Sequence, residues 1–128
     1  MEQIISIGEK QVKLKATASI LLRYKALIGK DLLKEFIKIE NIKKREELNK
    51  DNISSLENLE NIDLEFIYNL FYVLAKTADP ELPPMLEFID SFEYIPIEEV
   101  SKTVIDLVIN SMGMSGKKNI IPQTQIQT

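Results

Sequence analysis

The segment from Asp63 to Thr77 constrains the fold more than any other. Leu64, Ile67, Leu70, Phe71, Leu74 and Ala75 form one apolar stripe at helical spacing, and Phe66, Tyr68, Tyr72 and Val73 fill most of the remaining circumference. A helix apolar on nearly every side is stable in water only when other elements cover it, so this segment predicts a central helix. The competing reading of the same residues is a face that binds a partner.

Other segments supply the cover. Residues 2–15 predict a β-hairpin: Ile5 and Ile7 alternate with Ser6, Val12 and Leu14 alternate with Lys13 and Lys15, and Gly8-Glu9-Lys10 supplies the turn. A lone hairpin is marginal in water and must pack on something. A helix is expected from Thr17 to Ile28, with Ile20, Leu21, Tyr24, Leu27 and Ile28 as its stripe and Gly29 as its end. Asp31 should cap a second helix carrying Leu32, Leu33, Phe36 and Ile37. Residues 40–62 are polar, with a helical turn or two expected at Lys43–Lys50 and a loop at Asn49–Asn61.

Asp79-Pro80-Glu81-Leu82-Pro83-Pro84 must end the central helix, because proline lacks a donor and restricts the residue before it. Pro84 and Pro96 then suit the first positions of two further helices. One bears Met85, Phe88, Ile89 and Phe92; the other bears Val100, Val104, Leu107, Val108 and Met112 and ends at Gly113. Glu98 and Glu99 in its first turn complement the helix dipole. The expected class is α+β, predominantly α: an N-terminal β-hairpin packed on a bundle of about five helices. Residues 1–113 read as a single globular domain and residues 114–128 as a flexible C-terminal tail.

Composition excludes more chemistry than any motif suggests. There is no Cys and no His. One chain therefore offers no disulfide, no thiolate or imidazole metal site, and no Ser-His-Asp or Cys-His catalysis. The net charge of −4 argues against general nucleic-acid binding. Lysines concentrate in residues 10–50, whereas residues 79–99 hold many acids and no lysine. Glu87, Asp90 and Glu93 are the best carboxylate cluster, but it lacks the turned loop of a calcium site and reads as a solvated face. Lys43-Lys44-Arg45 is diluted by Glu46-Glu47. No N-terminal signal pattern is visible, and no apolar run approaches the roughly 18 residues that span a bilayer. The expectation is a cytoplasmic, non-enzymatic binding protein with no catalytic residue, no cofactor, no metal, and neither nucleic acid nor membrane as a partner.

The order of segments carries a resemblance. The opening Ile5-Ser6-Ile7-Gly8-Glu9-Lys10-Gln11-Val12-Lys13-Leu14, the step Gly29 to Leu33, the corner Ala75 to Pro80, the acidic and aromatic stretch Glu87 to Tyr94 and the end at Ser111-Met112-Gly113 together resemble the short tail assembly chaperones of siphophages and prophages of low-GC Gram-positive bacteria. The resemblance covers roughly residues 1–118 and rests on pattern, not on a catalytic signature.

It implies a protein that binds the tape measure protein, promotes tail tube protein assembly around it, acts in the host bacterial cytoplasm and leaves before the virion matures. It also implies that a longer, frameshifted form can exist, with Lys117-Lys118 as the candidate slippage position, and that the short form can assemble with it or with itself. Such a role needs an exposed apolar strip. The candidate partner-binding residues are Phe66, Tyr72, Val73, Phe88, Phe92, Tyr94, Val104, Val108 and Met112. The alternative is a small phage-encoded DNA-binding regulator, for which the helix-turn-helix-like spacing around Gly29 is the only support.

Overall fold

The computed structural model describes residues 1–38 and 63–113. The helical turn expected at 43–50, the loop at 49–61, the basic run at 43–45 and the tail at 114–128 lie outside the described residues.

Strands β1 (Glu2–Ile7) and β2 (Lys10–Lys15) form an antiparallel pair in which Ile7 faces Lys10 and Glu2 faces Lys15. The two-residue connection Gly8-Glu9 requires a positive φ at its first position, and Gly8 supplies it at 62°. Alternation divides the hairpin as expected. Ile5, Ile7, Val12 and Leu14 are buried, while Ile4, Ser6, Gln11 and Lys13 face water.

Helix α1 (Ile20–Ile28) begins three residues later than the sequence predicts. Thr17 and Ser19 spend their hydroxyls on each other at 2.9 Å, forming a local turn instead of a helix start. Gly29 closes α1 in the left-handed region (φ 84°), its N–H bonded to the Lys25 carbonyl at 2.9 Å. Residues 32–38 form α2. Its cap is the expected Asp31, whose carboxylate accepts from the Leu33 N–H at 2.9 Å.

Helix α3 (Leu64–Ala78) is the centre of the molecule. Asp63 caps it, accepting from the Glu65 N–H at 3.0 Å. Every residue from Phe66 to Ala75 except Tyr68 is buried. It touches β2, α1, α4 and α5, which explains why its sequence is apolar almost all round. The proline corner folds back along it: Tyr72 donates its hydroxyl to the Pro83 carbonyl at 2.9 Å, and the Lys76 ammonium donates to the Leu82 carbonyl at 2.7 Å. Two helices follow, α4 (Met85–Asp90) and α5 (Ile97–Ser111), with Pro84 and Pro96 at their N-caps, one position before the expected placement.

One hydrophobic cluster joins all these elements, from Ile5 on β1 to Val108 on α5. The fold class matches the expectation of a predominantly α, α+β chain with an N-terminal hairpin packed on helices. Among the described residues there are five helices.

Candidate binding surfaces

The apolar residues nominated for partner binding divide sharply by burial. Phe66 sits at the core centre, its ring 6.2 Å from Tyr24 and 5.9 Å edge-on from Phe36. Val73, Val104 and Val108 are fully buried, and Tyr72 and Phe88 nearly so. These six residues hold the domain together and present no surface. The correction has a simple cause: α5 turns its apolar face onto α3, and α3 is covered on most sides. Phe92 and Met112 are half-buried, packed against the core. Tyr94 alone of the nine is exposed, at 59%.

The Phe71, Phe88 and Phe92 rings form a second aromatic group with centroids 5.3 to 6.2 Å apart. It anchors the short helix α4 to α3. Lys10 reaches across from the hairpin, its ammonium 4.9 Å above the Phe92 ring and 2.7 Å from the Ser91 carbonyl, to which it donates.

Among the described residues Met1, Ile4 on β1 and Leu86 on α4 are also exposed, and the other exposed aliphatic side chains lie on α1, α2 and α3. Leu21, Leu22 and Leu27 on α1, Leu33 and Ile37 on α2, and Leu64 in the first turn of α3 all face solvent. Leu21 and Leu27 were expected on the buried stripe of α1. Only Ile20 and Tyr24 of that helix are buried, because α1 meets α3 along a narrow line. Leu33 and Ile37 are one turn apart, side by side on one flank of α2. These three elements converge on one corner, where Tyr24, Phe36 and Phe66 meet beneath the surface and Lys30 pairs with Glu65 at 3.8 Å above it. Sequence reasoning missed this surface because it placed Leu21, Leu27, Leu33 and Ile37 on apolar helix stripes and nominated residues of the later segments for binding.

The three-residue connection from α1 to α2 has the spacing of a helix-turn-helix, but the exposed side of α2 offers Leu33 and Ile37 beside Lys34 and Lys38. Leucine and isoleucine give phosphates nothing to bond.

Buried polar groups occur at the same corner. The Tyr24 hydroxyl, Asn69 Nδ2 and Glu35 Oε1 lack hydrogen-bond partners. Burial pushes the Tyr24 phenol well above its ordinary range. The adjacent Asn69 amide opposes this, although the two groups are not aligned for a good hydrogen bond, and the carboxylates of Glu35, Asp63 and Glu65 push further upward.

Glu87, Asp90 and Glu93 are all exposed, and no group of three or more His, Cys, Asp or Glu side chains among the described residues is arranged to hold a metal ion. No helix among the described residues is long and apolar enough to cross a membrane. Lys117 and Lys118 lie outside the described residues. No family model matches the chain, and no curated protein or solved structure matches it significantly.

Proposed function

We propose that this protein is a tail assembly chaperone of a long-tailed phage or prophage, holding the tape measure protein in the host cytoplasm until the tail tube protein assembles around it. The observation that supports this reading is the set of aliphatic side chains left exposed on the three elements that meet over Tyr24, Phe36 and Phe66, chiefly Leu21 on α1, Leu33 and Ile37 on α2, and Leu64 on α3. A long helical client exposes apolar stripes that would otherwise pair with one another. Leucine and isoleucine side chains shield such stripes without demanding a particular hydrogen-bond partner.

The magnitudes suit a chaperone that must let go. Burying one such side chain is worth about 1.5–3 kcal/mol, and association costs several kcal/mol before any surplus appears. A few partly exposed aliphatics therefore give affinity that a polymerising tube protein can outcompete. Arg23 and Lys25 on α1 and Lys34 on α2 are exposed cations on the same elements and favour clients with acidic flanks. A longer form made by frameshifting near Lys117-Lys118, and absence of the protein from the finished virion, belong to the same proposal.

The test is co-expression with a tape measure protein from the same phage or prophage genome. The chaperone should keep that client soluble and co-purify with it. The double substitution Leu33→Ser, Ile37→Ser should weaken capture at least about tenfold while the melting temperature stays within a few degrees, as expected for surface positions. Unchanged capture by the variant, or a client that precipitates regardless, would refute the assignment. The DNA-binding alternative predicts a gel shift at low salt that the same double substitution leaves intact.

A further inference from the structure

Among the described residues the sheet has two strands and therefore two edges without a third strand. Met1 and Ala16 exchange both backbone bonds, each at 2.8 Å, which fixes the alternation along the ladder. Counting in twos, Gln3–Leu14, Ile5–Val12 and Ile7–Lys10 are the hydrogen-bonded pairs. The N–H and C=O groups of Gln11, Lys13 and Lys15 consequently point away from β1. Among the described residues nothing pairs with them.

That edge runs beside a cleft instead of opening onto a flat surface. The cleft has a volume of about 440 Å³, with Gln11, Val12 and Lys13 on one side and Leu82, Phe88 and Phe92 on the other. Lys10, bonded to Ser91, stands at the end next to the turn, where a second cleft of about 470 Å³ continues past Gly8 to Tyr94.

We infer that the β2 edge is a strand-addition site that takes an extended peptide of alternating apolar and acidic residues from a partner protein. Its position and its client differ from those of the aliphatic corner, so it stands or falls separately from the chaperone reading. The backbone groups of Gln11, Lys13 and Lys15 supply main-chain hydrogen bonds. Neighbours across a sheet share a face, so the peptide residue opposite Val12 points inward, toward Leu82, Phe88 and Phe92, and must be apolar, as must the next one on that face, opposite Leu14. Residues opposite Lys13 and Lys15 point to solvent beside two ammonium groups, that of Lys13 shared with the exposed Glu2 carboxylate at 3.8 Å, and should be acidic.

Lysine on an exposed edge commonly guards against pairing with a like edge. Here it does so against β2 of a second copy, which would bring lysines against lysines. It does not repel an acidic strand; it selects one.

The experiment uses the full chain, isotopically labelled, and a capped peptide Val-Glu-Val-Glu-Val-Glu-Val. Hydrogen exchange at the Gln11 and Lys13 amides, fast in the free chain, should slow at least about tenfold with peptide bound. A Val-Lys peptide of the same length should bind at least about tenfold more weakly. Lys13→Glu combined with Lys15→Glu should reverse that preference, a swap that loss of folding could not produce. The inference is overturned by any of four results: no binding at about 1 mM peptide, binding without protection of those amides, equal binding of both peptides, or amides already protected in the free chain, which would show the edge occupied by its own tail or by a second copy.

Discussion

The Lys10 ammonium donates to the Ser91 carbonyl at 2.7 Å and thereby ties the hairpin turn to a residue 81 positions away. Because it also lies over the Phe92 ring, one side chain makes a charge-assisted hydrogen bond and a cation–π contact to the segment that follows α4. Both are solvent-exposed, so the contribution is modest. Lys10→Met keeps the aliphatic stem and removes both interactions. It should lower the unfolding free energy by about 1 kcal/mol, measured as an earlier midpoint in urea with unchanged slope. An unchanged midpoint would mean that the lysine contributes nothing beyond its stem.

Phe66 and Tyr94 give opposite predictions although both were nominated as partner contacts. Phe66→Ala removes a ring packed between Tyr24 and Phe36 at full burial, and should cost about 3–5 kcal/mol by leaving a cavity. Tyr94→Ser changes a residue 59% exposed and should stay within about 0.5 kcal/mol. Denaturant titration of the two variants separates core from surface directly. Comparable losses for both would contradict the burial pattern.

Gly29 ends α1 at φ 84°, and a methyl group added there would meet nothing within 4 Å. The cost of Gly29→Ala is therefore backbone strain alone, about 1 kcal/mol, while Gly29→Asn should recover part of it because asparagine tolerates the left-handed region. Thermal melts of the pair test this ordering. If alanine and asparagine are equally harmful, the cause is something other than φ.

Much of the fold is legible in the sequence wherever a local rule and the tertiary structure agree. The parity of Ile5, Ile7, Val12 and Leu14 needs only one buried face, Gly29 needs only a left-handed position, and Pro80 to Pro84 cannot continue a helix. The exposed aliphatic corner is less legible for a physical reason. Periodicity shows that Leu21, Leu33 and Ile37 are apolar at helical spacing, but not how wide the contact with the neighbouring helix is. The narrow meeting of α1 with α3 leaves Leu21 outside, whereas the broad cover over α3 takes in Phe66, Tyr72 and Val73. Thr17 shows the same limit on a smaller scale: a residue suited to capping a helix bonds Ser19 and delays it.

Tyr24 makes stability depend on alkaline pH with a definite sign. Burial raises its phenol above the ordinary value of 10.0, so the unfolded chain loses this proton first. The native contribution is complete below pH 10, then declines as pH rises, and the loss continues until the folded phenol itself ionises. The slope is at most about 1.4 kcal/mol per pH unit for one group. Tyr72, whose phenol is also raised by burial, adds to the same decline. Tyr24→Phe removes one titration and also one buried hydroxyl without a partner. At neutral pH the variant should be unchanged or more stable by up to about 1 kcal/mol, since no good hydrogen bond is lost. Between pH 9.5 and 11, about the ordinary tyrosine range, wild type should lose stability faster than the variant. Lysine deprotonation affects both chains alike and cancels in the difference. Urea midpoints across that interval decide the matter: parallel curves would show that Tyr24 ionises as readily in the folded protein as in the unfolded one, and a less stable variant at neutral pH would show that its hydroxyl has a partner after all.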